Sequence, residues 1–260
     1  MPSSTAQSVA LARSQLTRLG ILDDPWAASM LRWPWRVADH GLRIPVLRNR
    51  VMGPTFSYLA ARTLFFDAEV KRALDEGVLR VVIVGAGYDS RAWRLARPSV
   101  EFIEVDHPET QADKQRRAPA GGPRYVPLDL VADVFPSDLV AATPTIWVVE
   151  GVSMYLSQDQ VGDLLNRLSA PGCRLVVNFG IGGGAGAAQR AVRSSASVGG
   201  ETFRYEPTVS EARNLLAGAG WSPTAVATGR ELAEQFLTGT PMSSDLTEDA
   251  FVISAATPRG

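Results

Sequence analysis

From residue 79 onward the 260-residue chain repeats one pattern, a short apolar run followed by a helical or loop segment. The runs Leu79–Val84, Glu101–Val105, Arg124–Leu128, Thr145–Val149 and Arg174–Phe179 have strand length, and residues 88–96 and 158–169 have helical composition. Strands alternating with helices predict an α/β fold, a parallel sheet covered on both faces. A further helix is expected over Val209–Gly218, then strands near Ser222–Thr228 and over Phe251–Ala255, close enough in order to form an antiparallel terminal pair. Residues 1–77 hold no strand pattern. Ser4 to Leu19 has helical apolar spacing with Gly20 as a stop, and Asp23-Asp24-Pro25 has the residues that start a second helix. Pro34, Gly41, Pro45, Gly53 and Pro54 then punctuate the chain before a longer helix over Phe56 to Leu74, ending near Gly77. The expected organisation is an N-terminal helical cap, 1–77, followed by one compact core, 78–260.

With 45% hydrophobic and 20% charged residues the chain has the material for a sizeable core. A net charge of −1 gives no global attraction to nucleic acid or acidic membranes, and neither is an expected partner. Arg32 to Arg50 is a local exception, with five arginines, two tryptophans and one acid, Asp39. It suits a solvated cap surface or, as the preferred functional reading, attraction of an anionic substrate. Cys173 stands alone, which excludes an intrachain disulfide and fits a reducing cytoplasm. The N-terminal residues lack the basic flank and apolar run of a signal peptide, and no apolar stretch reaches the roughly 20 residues of a membrane span. His40 and His107 are the only histidines, so no clustered metal site is expected.

Chemistry enters at VVIVGAGYDSRAWRL, Val81 to Leu95. Gly85, Ala86 and Gly87 follow an apolar strand, where glycines permit unusual backbone angles and close approach by a ligand. The complete GxGxxG dinucleotide pattern fails at Ser90. Asp89 falls at the start of the next helix, where it competes with a pyrophosphate for the same N–H groups. Asp106 ends the second strand, 19 residues after Gly87, where an acid accepts hydrogen bonds from ribose hydroxyls. Asp129 follows the third strand and Glu150 the fourth, so several carboxylates are expected around one crevice at the carboxyl ends of the strands. Such a crevice suits a cationic ligand such as S-adenosylmethionine better than NAD.

These residues resemble the leucine carboxyl methyltransferase-like family, and more closely its bacterial branch of S-adenosylmethionine-dependent O-methyltransferases. The segments carrying the likeness are GAGYDSRAWRL, EVDHPETQADK, VPLDL, VVEGVSMYL, ARTLFFD at 61–67 and GETFRYEPTVSEARNLLAGAGW, which together span most of the chain. The resemblance implies a class I methyltransferase fold, a Rossmann-like, mostly parallel seven-stranded sheet with a helical cap. It also implies roles toward S-adenosylmethionine. Arg62 would pair with the methionine carboxylate, and Gly85, Ala86 and Gly87 would form the floor. Asp106 would bind ribose, while Asp129 and Leu130 would flank adenine. Glu150 would lie near the ammonium or methyl end, and Arg13 would be a loosely aligned basic contact. Tyr88 and Trp93 depart from the pattern as aromatic variants, and the segment after the fifth strand is short.

The expected reaction is methyl transfer to a carboxylate or hydroxyl of a small, anionic molecule, in secondary metabolism. Substrate-side candidates are Glu150, Tyr155 and His40. The sequence offers no distinctive general base, which favours a carboxylate because that acceptor is already ionised. Ile181–Gly200, rich in glycine, alanine and serine, suits either a flexible connection or a lid. The alternatives are an NAD-dependent oxidoreductase, disfavoured by Asp89 and Ser90, and a non-catalytic cofactor-binding regulatory protein.

Overall fold

The computed structural model describes residues 2–47, 53–140, 143–180, 202–242, 246 and 248–258. Its frame is a seven-stranded sheet built from β1 (Arg80–Val84), β2 (Glu101–Asp106), β3 (Arg124–Pro127), β4 (Thr145–Val149), β5 (Arg174–Phe179), β6 (Ser222–Thr228) and β7 (Phe251–Ala256). The strand order is β3-β2-β1-β4-β5-β7-β6. The first five strands are parallel, and β7 runs antiparallel to both β5 and β6. The order reverses between β1 and β4, and the crevice beyond their carboxyl ends is where ligands bind in such sheets. The expected α/β sheet and the antiparallel terminal pair are both present.

Alternate residues of each central strand face opposite cores. Val81 and Ile83 pack with Val148 and Val176 on one face, against Tyr58, Phe65, Phe66 and Val70. Val82 and Val84 pack with Trp147, Val149 and Ile253 on the other, against Leu164, Leu168, Leu216 and Trp221. Burial on both faces explains why these strands are continuously apolar.

The helices are α1 (Ser4–Arg18), α2 (Trp33–Gly41), α3 (Pro54–Asp75), α4 (Arg91–Arg94), α5 (Pro108–Gln115), α6 (Gln158–Leu168), α7 (Val209–Gly218) and α8 (Gly229–Phe236). α1 ends as expected, with Gly20 at φ +69° just beyond it, and α3 is followed by Gly77 at φ +87°. α3 lies against α8, β4 and β5, so the front third of the chain shares its core with the sheet.

Three helical expectations change. No helix starts at Asp23-Asp24-Pro25. The Asp24 carboxylate accepts from the Trp26 and Ala27 amides, but the chain continues as turns. The helix comes later, at Trp33, with Pro34 in its first turn. The helix expected over 88–96 is the single turn α4, because Gly87 at φ +49° and the Asp89 side chain prolong the loop. α5 and α8 were not expected. α5 starts on Pro108 but has no apolar periodicity, whereas α8 carries the Thr228/Glu231 capping box that marks a helix start. The Ile181–Gly200 segment lies outside the described residues.

Trp221, 1% exposed, fills the core between α6, α7 and β7, and its indole N–H donates to the Leu165 carbonyl at 2.9 Å. Trp221→Ala should therefore lower unfolding stability by about 3–5 kcal/mol. A urea midpoint that falls with an unchanged slope would read this out.

Candidate functional site

One pocket of about 460 Å³ opens at the carboxyl ends of β1, β2, β3 and β4. That volume lies within the range of small-molecule sites, about 300–1,000 Å³. Its wall includes Arg13, Arg62, Gly85, Ala86, Gly87, Asp106, Asp129, Leu130, Glu150 and Tyr155. These sequence-expected residues are thus brought together. His40 is not; it is exposed on α2 and does not line this pocket.

The glycine loop is fixed by need rather than by flexibility. Gly85 and Gly87 have φ of +64° and +49°, and a Cβ on Gly85 would collide with the Val152 side chain. A Cβ on Gly87 would approach Ala6 of α1 at 3.0 Å. Arg13 was expected at the site, but not that Ala6, Val9 and Ala10 make α1 a wall of it. Ala6, Val9, Ala10 and Arg13 share one face of that helix at i, i+3, i+4 and i+7, and all four line the pocket. The run of small residues ending in an arginine was the available signal.

Asp106 is held by the backbone. Its Oδ2 accepts from the Gly87 amide and its Oδ1 from the His107 amide at 2.6 Å. Burial pushes its pKa up, and these amides and Lys114 partly offset that. Asp129 Oδ1 accepts from the Val131 and Ala132 amides at 2.8 and 3.2 Å, and Leu128 and Leu130 supply apolar surface beside it. Tyr155, in the short 3-10 turn Ser153–Tyr155, stacks on Phe203 with ring centroids 5.3 Å apart.

Glu150 lines the same pocket, but its charge is turned back into the protein. Oε1 accepts from Arg62 Nε at 3.0 Å, and Oε2 from Arg91 Nη1 at 2.6 Å. Arg13 Nη2 lies 3.5 Å from Oε2. Burial raises the pKa of this carboxyl, but Arg91, Arg62 and Arg13 outweigh it and bring the value down to about 2. Asp89 is similarly enclosed, accepting from Arg91 Nη1 at 2.5 Å and Arg13 Nη2 at 3.2 Å. It is also held well below the usual carboxylate range against the effect of burial. Its Oδ1 takes the Arg91 backbone amide at 2.7 Å, as expected of an acid that competes with phosphate at a helix start. The expected ring of carboxylates therefore holds in position, but Glu150 and Asp89 are neutralised by arginines.

Arg62 and Arg13 supply the donors. Arg62 uses Nε on Glu150, and its Nη1 and Nη2 lie beside Gly151, where a Cβ would sit 4.0 and 3.7 Å from them. Among the described residues nothing accepts a hydrogen bond from those two nitrogens. Arg13 Nε is buried without a partner. The pocket thus has guanidinium donors without acceptors on one side, glycine-lined backbone in the middle and the Asp106 carboxylate on the other. Among the described residues, no group of three or more His, Cys, Asp or Glu could hold a metal ion.

Residues 4–169 match the model of the leucine carboxyl methyltransferase family. The chain belongs to that family. A relative from Mycobacteroides abscessus, named for S-adenosyl-L-methionine-dependent methyl transfer, is 32% identical over 89% of this chain and 86% of its own length. Another from Parafrankia, named likewise, is 42% identical over 46% of this chain; that alignment spans only 44% of the relative. A solved protein of the DUF574 family from Streptomyces avermitilis shares the fold, with a TM-score of 0.59, 17% identity and coverage of 95% of this chain and 97% of that one. The chain is an S-adenosylmethionine-dependent methyltransferase. No helix among the described residues is long and apolar enough to cross a membrane.

The Glu150 carboxyl has a depressed folded-state pKa, so its contribution to stability is complete above the ordinary value of 4.5 and is lost as pH falls toward about 2. Glu150→Gln should cost about 3–5 kcal/mol at neutral pH by leaving buried arginines short of a counter-charge. It should also flatten the stability loss across that acid window, as followed by denaturant titrations at stepped pH.

Proposed function

We propose that the methyl acceptor is an oxygen of a small anionic molecule, a carboxylate in preference to a hydroxyl, and that the enzyme works in the cytoplasm in secondary metabolism. The observation that carries the choice of carboxylate is Glu150. Both its oxygens are bound to arginines and its pKa lies near 2, so it is a poor proton acceptor at neutral pH. Asp89 is bound in the same way. Asp106, Asp129 and His107 lie at the β2–β3 end, which this reading gives to adenosine. A carboxylate acceptor needs no base, whereas a hydroxyl benefits from one.

Bound S-adenosylmethionine supplies an electrophilic methyl group on a sulfonium. In this reading the Arg62 Nη donors receive the methionine carboxylate, with Arg13 beside them. Asp106 accepts from the ribose hydroxyls, and Leu128, Asp129 and Leu130 flank the adenine. The Gly85-Ala86-Gly87 backbone forms the floor, and Tyr155 is a wall on the acceptor side. The protein's work is then alignment and exclusion of water, which can lower a barrier by about 7–11 kcal/mol at best.

The acceptor chemistry is testable by product stability. With methyl-labelled cofactor and a panel of acids, phenols and alcohols, the product should release labelled methanol in dilute base, as an ester does. A base-stable methyl ether as the main product would overturn the carboxylate reading. For the cofactor site, Arg62→Ala and Asp106→Ala should each weaken cofactor binding in calorimetry by about 10-fold or more, the loss of a charge-assisted hydrogen bond. Unchanged affinity in both would remove the assignment.

A further inference from the structure

Arg91 is 0% exposed and touches neither solvent nor pocket, yet it bonds to three acids from three parts of the chain. Nε donates to Asp67 Oδ1 at 2.6 Å, on α3. Nη1 donates to Asp89 Oδ2 at 2.5 Å and to Glu150 Oε2 at 2.6 Å. Asp67 in turn holds Arg94, with Nη1 to Oδ2 at 2.6 Å. Glu150 is the hinge of this chain of contacts. Its one oxygen is on Arg91 and its other on Arg62 Nε, with the Thr63 hydroxyl 3.4 Å away.

We infer that Asp67 and Arg91 are positioning residues that set Arg62 for the carboxylate of the cofactor, acting through Glu150. This rests on the reading of Arg62 given above. An unbraced arginine spreads over many rotamers and loses that freedom when it is ordered. Bonding Nε to Glu150 removes most of that freedom before a ligand arrives and leaves Nη1 and Nη2 beside Gly151. Arg91 fixes the other oxygen of Glu150 at 2.6 Å, with Arg13 at 3.5 Å from the same oxygen. Arg91 is placed by Asp67, whose charge also balances Arg94. Arginine is required because its planar fork reaches several carboxylates at once, which a lysine ammonium at the end of a flexible stem does not. Asp67 does not line this pocket, so the effect of changing it should be confined to the end of the ligand that Arg62 meets, whereas Arg91 also holds Asp89 of the pocket wall.

Two ligands separate that end from the rest. S-adenosylhomocysteine carries the amino-acid carboxylate; 5′-methylthioadenosine has the adenosine and sulfur but lacks it. Calorimetry on Asp67→Asn, an isosteric change that keeps an acceptor for Arg91, should show S-adenosylhomocysteine binding weakened about tenfold and methylthioadenosine binding within about twofold of the parent. Arg91→Lys, checked for folding by its melting curve, also loosens Asp89 of the glycine loop, so it should weaken both ligands but S-adenosylhomocysteine more. Equal loss for both ligands in Asp67→Asn, or no loss for either, would overturn the inference. Arg62→Ala is the control that keeps the two readings apart. If it is selective and Asp67→Asn is not, only the positioning role falls. If Arg62→Ala is itself unselective, the role of Arg62 falls and the positioning role with it.

Discussion

A guanidinium with no access to water joins the parts of this protein that make the pocket. Arg91 meets Asp67 from α3, Asp89 from the loop after β1 and Glu150 from the end of β4. Each burial is costly alone, because an ion loses its hydration on leaving water. The cost is offset only with all partners present. Arg13, Arg62, Arg91 and Arg94 stand against Asp24, Asp67, Asp89 and Glu150, so this buried cluster carries no net charge. Docking α3 on the sheet, shaping the glycine loop and setting the end of β4 are therefore one event rather than three.

The pocket inherits its form from that junction. The glycine loop must bend at Gly85 and Gly87 to pass Val152 and α1, and the Asp89 side chain that follows is pinned from both sides by Arg13 and Arg91. On the far side of β1 a second buried pair, Lys114 to Glu104 at 2.6 Å, ties α5 to β2 beneath Asp106. Burial raises the Glu104 pKa to about 7 despite the lysine. The glycine loop and the strand that carries Asp106 are thus each backed by an ion pair, and the pocket surface between them is largely backbone.

Much of the frame was legible because burial on both faces leaves a local mark. β1, β4 and β5 are built around apolar runs, and their limits fall within a residue of those read from the sequence. Prolines misled the reading of the front third. Pro34 was read as punctuation between elements, yet it sits in the first turn of α2, where its missing N–H costs nothing. Pro108 opens α5 in the same way, and that helix escaped notice because its buried residues, Thr110, Gln111, Asp113 and Lys114, are polar. Hydrophobic periodicity cannot reveal a helix whose inward face is stabilised by hydrogen bonds and charge. The charged motifs were visible, but Arg91 and Asp67 carried no assigned role, since their function lies in contacts between segments 24 residues apart and more.

The sequence by itself determined the sheet, the glycine loop and the acids at the strand ends, since apolar alternation and turn chemistry are set by near neighbours. It also named the family. Only the tertiary structure decided what those acids do. Asp106 and Asp129 accept backbone amides at the pocket edge, whereas Glu150 and Asp89 are enclosed by arginines from α1, α3 and α4. A carboxylate's charge is written in the sequence. Whether that charge faces a ligand or is cancelled depends on how many cations folding gathers around it, since three arginines outweigh burial at Glu150 whereas one lysine does not at Glu104.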